Sequence, residues 1–134
     1  MKELINALYI GYPIEELSND AQAILDNIIN QLCNVIYNYI DEANDDNTYC
    51  VDVGRHSTNQ LVATIIDSPE GRTIQKLCVC DVKTLCEKVH AKIKKYPLEK
   101  VEQCDKQTLY NIFAVRLEHF IESAIHDAID AGTI

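Results

Sequence analysis

Hydrophobic residues recur every three or four positions in four stretches of this chain, which is the spacing of one helix face. A short helix is predicted at residues 2–9, and the glycine, tyrosine and proline at 11–13 should end it. A long helix should begin near Ser18 or Asn19 and end between residues 41 and 44. Asp81 and Asp105 are expected to cap two further helices, the second of which continues to about residue 131.

The region between the second and third helices has the pattern of strands. Residues 49–53 alternate between apolar and polar side chains, residues 60–67 are almost continuously apolar, and residues 73–80 form a third run. Short connections favour an antiparallel meander. We therefore predict a single α+β domain over residues 1–134. It has a three-stranded antiparallel sheet packed against two long helices, in the order α-α-β-β-β-α-α.

The long second helix is unusual because residues 27–40 contain no Asp, Glu, Lys, Arg or His. Exposed helix faces normally carry Glu and Lys, whereas this one carries asparagines, which are poor helix formers. Two interpretations stay open: the rest of the domain covers this helix on most sides, or a second copy packs on it. The second predicts a homodimer through Asn27, Asn30, Asn34, Tyr37 and Asn38.

Charge is distributed unevenly. Residues 1–48 contain nine acids and one base, residues 51–100 contain nine bases and six acids, and the whole chain has a net charge of −9. This net charge opposes direct binding to nucleic acid and favours a basic protein partner. The residues predicted to contact that partner are Glu15, Glu16, Asp20, Asp41, Glu42, Asp45 and Asp46.

The loop after the first strand holds the side chains that most resemble a catalytic or ligand-binding group. Residues 54–59 include a base, a hydroxyl and hydrogen-bond donors, but no acid at a spacing that would orient a catalytic base. We therefore expect no enzymatic activity. The alternative function is a protein that sequesters an anionic nucleotide, which two copies could hold across a dimer interface, with Arg55, His56, Arg72 and Lys76 as ligand-binding residues.

Metal or cofactor binding is not expected. His119, Glu122 and His126 share one face of the last helix, but that face lies opposite its apolar stripe and should be solvated. Cys78 and Cys80 should lie on one buried strand face.

The six cysteines are expected to be reduced thiols in a cytoplasmic protein. The sequence shows neither an export signal nor an apolar run of about 18 residues, so no membrane association is expected.

The order of elements resembles that of the small acidic phage anti-CRISPR proteins that inhibit Cas9. The resemblance covers the short helix at 2–9, the strands at 49–53, 61–67 and 73–80, and the helix from residue 82. The long helix at 19–41 has no counterpart in that family, and the segment after the third strand is basic here instead of acidic. The resemblance implies a non-enzymatic inhibitor or immunity-type protein of a virus or mobile element, acting in the host cytoplasm on a nucleic-acid-handling protein.

Overall fold

Two 25-residue helices and one three-stranded sheet make up most of the fold. The computed structural model describes residues 1–43, 49–56, 59–67 and 70–132. The predicted α+β class and element order are confirmed, with a 3₁₀ turn and the four-residue helix α4 in addition. In chain order the elements are α1 (Lys2–Ile10), the 3₁₀ turn (Ile14–Glu16), α2 (Asn19–Ala43), β1 (Tyr49–Arg55), β2 (Gln60–Asp67), β3 (Arg72–Asp81), α3 (Val82–Ile93), α4 (Leu98–Val101) and α5 (Lys106–Asp130).

The sheet is an antiparallel meander in the order β1-β2-β3, as predicted. Arg55 at the end of β1 pairs with Leu61, and Asp67 at the end of β2 pairs with both Tyr49 and Arg72. The connection between β2 and β3 lies partly outside the described residues. At its end, the N–H of Gly71 donates to the carbonyl of Asp67 at 2.7 Å.

A register shift in β3 changes the side that its cysteines face. Leu61 is opposite Cys80 and Val62 is opposite Cys78, so Val79 has no partner of its own on β2. An extra residue of this kind reverses the alternation of side chains beyond it. Cys80 therefore turns into the core, whereas Cys78 is exposed, and the prediction of one buried face for both was wrong.

One face of the sheet forms the floor of the hydrophobic core. Helix α2 packs on β1, α5 packs on β3, and the two helices contact each other. Helix α3 packs on α5, and α1 packs on α2 and α3. The largest fully buried side chains come from all of these elements except β1 and β3, and they include Phe113, Leu4, Ile5, Leu25, Ile28, Ile29, Leu32, Ile36, Ile40, Leu61, Ile65 and Leu85.

Helix α2 begins with a cap that is shared between two helices. Ser18 Oγ accepts a hydrogen bond from the N–H of Ala21 at 3.3 Å. Glu3 of α1 in turn accepts bonds from Ser18 Oγ at 2.6 Å and from the N–H of Ser18 at 3.2 Å. The spacing of Asn19 and Gln22 in the sequence resembles a capping box, but the Gln22 side chain donates to Asp26 instead. The carboxylate that supports this cap comes from another helix, so no local spacing could reveal it.

The two other predicted caps had different outcomes. The carboxylate of Asp105 accepts a hydrogen bond from the N–H of Thr108 at 2.8 Å, as expected for the first turn of α5. Asp81 holds the cap position of α3, but its side chain makes no cap hydrogen bond. Instead the first N–H of α3, that of Val82, donates to the carbonyl of Asn59 at 3.0 Å. The loop before β2 thus supports the start of α3.

The buried face of α5 differs by one position from the predicted stripe. The sequence predicts an inner face made of Leu109, Ile112, Phe113, Leu117, Phe120, Ala124 and Ala128. Ile112 and Phe120 are only partly buried, and Ile121, which the periodicity did not select, is fully buried. Over 25 residues, a small error in helix phase shifts the assigned face, because 3.6 residues make one turn.

We expect Ile121→Ala to lower the free energy of unfolding by about 2–4 kcal/mol, because it leaves a cavity in a packed core. Ile129→Ala on the same helix is the matched control, because Ile129 is 51% exposed, and it should change stability by less than about 0.5 kcal/mol. Urea denaturation followed by circular dichroism measures both. Equal losses would show that the buried face of α5 is assigned wrongly.

Candidate functional site

The turn after α1 holds exposed apolar side chains in a fixed position. Gly11 ends the helix in the left-handed conformation, with φ of 74°. Its N–H donates to the carbonyl of Leu8, and the N–H of Tyr12 donates to that of Ala7 at 2.8 Å, which is the Schellman pattern. A side chain at position 11 would be strained by this φ, and its Cβ would lie 3.5 Å from the ring of His90. The left-handed backbone therefore explains the glycine, since a Cβ would make only an ordinary contact with the ring.

A hydrogen bond from His90 holds this turn against α3. Its Nδ1 lies 2.9 Å from the carbonyl of Leu8, and since a carbonyl can only accept, Nδ1 carries the proton and donates. Cys86 lies one turn earlier on α3 and is buried beneath the same turn. The end of α1 is thus packed and hydrogen-bonded to a second helix.

Two clefts flank this turn. The larger, of about 440 Å³, lies between the turn and α3, and the smaller, of about 230 Å³, lies between α1 and the 3₁₀ turn. Ile10 and Tyr12 line both clefts and form the ridge that separates them. Ile10 is 69% exposed and Tyr12 is 42% exposed, so the ridge presents apolar surface to solvent.

Carboxylates surround this ridge. Glu15 and Glu87 line the larger cleft, and Glu3 and Glu16 line the smaller one. Lys83 is the one Lys or Arg among the residues that line the two clefts. We call this surface the acid-rimmed patch, and it consists of Ile10, Tyr12, Glu3, Glu15, Glu16 and Glu87.

Hydrogen bonds and neighbouring charges shift two pKa values in the acid-rimmed patch. The bonds that Glu3 accepts from the hydroxyl and N–H of Ser18 lower the pKa of its carboxyl group. The charge of Glu16 and its hydrogen bond with the phenol raise the pKa of Tyr12. At neutral pH Glu3 is therefore a charged carboxylate and Tyr12 is an uncharged phenol.

The predicted partner-binding residues do not form one surface. Glu15 and Glu16 belong to the acid-rimmed patch, and Asp20 is exposed in the first turn of α2. Asp41 and Glu42 lie in the last turn of α2, about 30 Å further along the helix axis at 1.5 Å per residue. Asp45 and Asp46 lie outside the described residues.

Sequence reasoning missed four members of the acid-rimmed patch: Glu3, Ile10, Tyr12 and Glu87. The Gly-Tyr-Pro turn at 11–13 was a usable signal, because an aromatic residue in a tight turn is commonly exposed. Glu87 had no signal in the sequence, since only packing of α3 against the turn brings it there.

The uncharged polar face of α2 is open. Asn27, Asn30, Asn34, Tyr37 and Asn38 are all exposed, so the other elements do not cover it. Tyr39, which follows, is different because its hydroxyl donates to Glu118 of α5 at 3.2 Å.

The residues proposed for nucleotide binding do not converge within one chain. The guanidinium of Arg55 donates to Asp26 and to Asn59, each at 2.6 Å, and so links β1 to α2 and to the following loop. Arg72 pairs with Asp67 at the opposite end of β2, about 20 Å away at 3.4 Å per residue. His56 and Lys76 are exposed at separate places on the sheet.

The three candidate metal ligands lie on the solvent side of α5. His119, Glu122 and His126 are all exposed on α5. Within the described residues, no group of three or more His, Cys, Asp or Glu side chains is arranged to hold a metal ion.

All six cysteines carry free thiols, and their surroundings differ. Burial raises the pKa of Cys80 and that of Cys86 to about 12, so both stay protonated at neutral pH. Cys50 and Cys78 are exposed, contrary to the expectation that the cysteines occupy core-like positions.

Comparisons of the chain with models of protein families, with curated proteins and with solved structures gave no match. The resemblance to anti-CRISPR proteins therefore stays a prediction. Among the described helices, none has an apolar stretch long enough to cross a bilayer.

The ion pair between Arg55 and Asp26 should make the stability of the fold depend on pH. Burial raises the pKa of Asp26, but the hydrogen bonds from Arg55 and Gln22 and the charge of Arg55 outweigh it, so the pKa lies below its ordinary value of 3.8. A carboxyl group with a lowered folded-state pKa stabilises the fold above its unfolded pKa, and this contribution disappears as the pH falls through the folded value.

Asp26→Ala should therefore lower the free energy of unfolding by about 1 kcal/mol at pH 7, a modest figure because the side chain is 41% exposed. The difference from the native protein should shrink at pH 3, as measured by urea denaturation at both pH values. Ser123→Ala, at an exposed position of α5, should cause no loss. A loss that is equal at pH 7 and pH 3 would contradict the assigned role of the Asp26 charge.

Proposed function

We propose that this protein is a non-enzymatic inhibitor or immunity-type protein that binds a basic partner through the acid-rimmed patch. The observation that carries the proposal is the exposed Ile10 and Tyr12 ridge inside a ring of four glutamates. Protein interfaces commonly place an aromatic anchor at the centre and charged groups at the rim. Here the rim has one predominant sign, which selects a partner of the opposite sign.

A nucleic-acid-handling protein is the partner class that fits best. Its basic site attracts phosphates, and carboxylates on a protein of net charge −9 offer a similar pattern of negative charge. Occupying that site would block the natural substrate without any chemistry by the inhibitor. An anti-defence role in a virus or mobile element, in the cytoplasm of the host cell, extends this proposal on the strength of the resemblance in element order.

The nucleotide-sequestering alternative has less support. Arg55, its main candidate, already has carboxylate and amide partners, and Arg72 lies at the other end of the sheet. Only a second copy could bring two such arginines together.

We also propose that two copies associate through the uncharged face of α2. Support comes from the exposure of Asn27, Asn30, Asn34, Tyr37 and Asn38 along that helix. Such a face carries no like charges to repel a second copy of an acidic protein, and its amides can donate and accept across a two-fold axis.

Charge reversal in the acid-rimmed patch should weaken partner binding. Affinity purification from the native host identifies the partner, and binding of the purified pair is then measured with variants. Glu15→Lys/Glu16→Lys should slow association and weaken binding at least tenfold at low salt, with a smaller effect at high salt. The matched control is Asp41→Lys/Glu42→Lys, which makes the same charge change at the far end of α2 and should leave the affinity within about twofold.

The apolar ridge is tested separately from the charges. Tyr12→Ala should cost at least about 2 kcal/mol of binding free energy, whereas Tyr37→Ala should cost little. The two tyrosines are 42% and 41% exposed, so the comparison is well matched. Binding that survives both the double reversal and Tyr12→Ala would refute the acid-rimmed patch as the contact surface.

The dimer prediction is tested by sedimentation equilibrium at tens of micromolar protein. The native chain should sediment as a dimer, and Asn34→Lys should shift it to a monomer because the lysine of each copy would meet uncharged surface. Asn111→Lys, at an exposed position of α5, is the control and should remain dimeric. A native chain that is monomeric under these conditions would refute the dimer proposal.

A further inference from the structure

A third cleft, of about 350 Å³, opens between the C-terminal end of α3, α4 and α5. Its floor is apolar and consists of Ile93, Val101 and Ile112. A cleft of this size and lining is typical of sites for small organic molecules.

Two ammonium groups stand at the side of this cleft. Lys92 Nζ lies 5.7 Å from the centre of the Tyr96 ring, and Lys100 Nζ lies 5.5 Å from the same centre. Both lysines and Tyr96 line the cleft. Cation–π attraction therefore holds both positive charges at one aromatic ring.

No carboxylate offsets these charges inside the cleft. Its lining contains no Asp or Glu, and neither lysine takes part in the ion pairs found among the described residues. Lys94 and Lys95 are adjacent in the sequence and add to the positive potential. An anion placed between Lys92 and Lys100 would relieve their mutual repulsion.

We propose that this cleft binds a small amphipathic anion, with an apolar chain on the floor and a terminal carboxylate between Lys92 and Lys100. The apolar floor argues against a nucleotide or a free phosphate, because a polar body would lose water there without gaining hydrogen bonds. The two lysines argue against a neutral hydrocarbon, because such a ligand would gain no electrostatic attraction from them. The proposal stands on residues outside the acid-rimmed patch, so it does not depend on the proposed protein partner.

Sodium decanoate is the probe, with 1-decanol and sodium acetate for comparison. Protein-observed nuclear magnetic resonance gives both the affinity and the location of binding. Decanoate should shift the signals of Ile93, Tyr96 and Ile112 and should bind at least tenfold more tightly than either comparison molecule. Decanol lacks the charge, and acetate lacks the chain.

Lys92→Gln/Lys100→Gln should weaken decanoate binding at least tenfold. The control, Lys83→Gln/Lys88→Gln, removes the same charge from exposed positions of α3 that do not line the cleft, and it should change affinity by less than twofold. Cys104→Phe should fill the cleft and abolish binding while both lysines remain. If that variant fails to fold, the lysine pair still decides the question.

Several results would overturn the proposal. They are equal affinity for decanoate and decanol, equal loss in the two lysine variants, shifts at another surface, or no binding at millimolar decanoate. A membrane surface is tested with phosphatidylglycerol vesicles. Co-sedimentation with these vesicles without binding of free decanoate would also overturn it, since the lysines would then serve a lipid bilayer instead of an enclosed ligand.

Discussion

The fold depends on burying one face of its three-stranded sheet under helices. Two strands of this sheet are edges, and a small sheet is stable in water only when one face is buried. Helices α2 and α5 provide that cover, and the Arg55 contacts with Asp26 and Asn59 join α2 to the end of β1 and the adjoining loop. The position of every other helix follows, because α3 and α1 pack in turn on the helices below them.

Charged groups gather on different parts of this arrangement. The middle of α2 packs its apolar residues on the sheet and exposes an uncharged polar face, and Asp20, Asp41 and Glu42 lie in its first and last turns. At one end, α1 and its glycine turn bring Ile10 and Tyr12 among four glutamates. At the C-terminal end of α3, lysines gather around Tyr96 above an apolar floor. The protein thus has an acidic surface at the turn after α1 and a basic cleft at the C-terminal end of α3.

The spacing of hydrophobic residues predicted the helices and strands well, but it did not predict which residues meet in the folded chain. The spacing of Ile28, Leu32 and Ile36 identified the buried face of α2 because helix geometry is local. The exposed position of Cys78 depends on a bulge in β3, and Glu87 joins the acid-rimmed patch only through packing of α3 on the turn after α1. Neither leaves a mark in the local pattern. Acidic composition suggested a binding surface, but the sequence joined into one set acids that α2 holds about 30 Å apart.

The bond between Glu3 and Ser18 gives one carboxylate two tasks. Glu3 lines the smaller cleft of the acid-rimmed patch and also supports the cap at the start of α2. Changes at Glu15, Glu16 or Glu87 can alter the charge of the surface with little effect on helix initiation. A change at Glu3 alters both at once, so the charge of this surface can vary most freely at the other three positions.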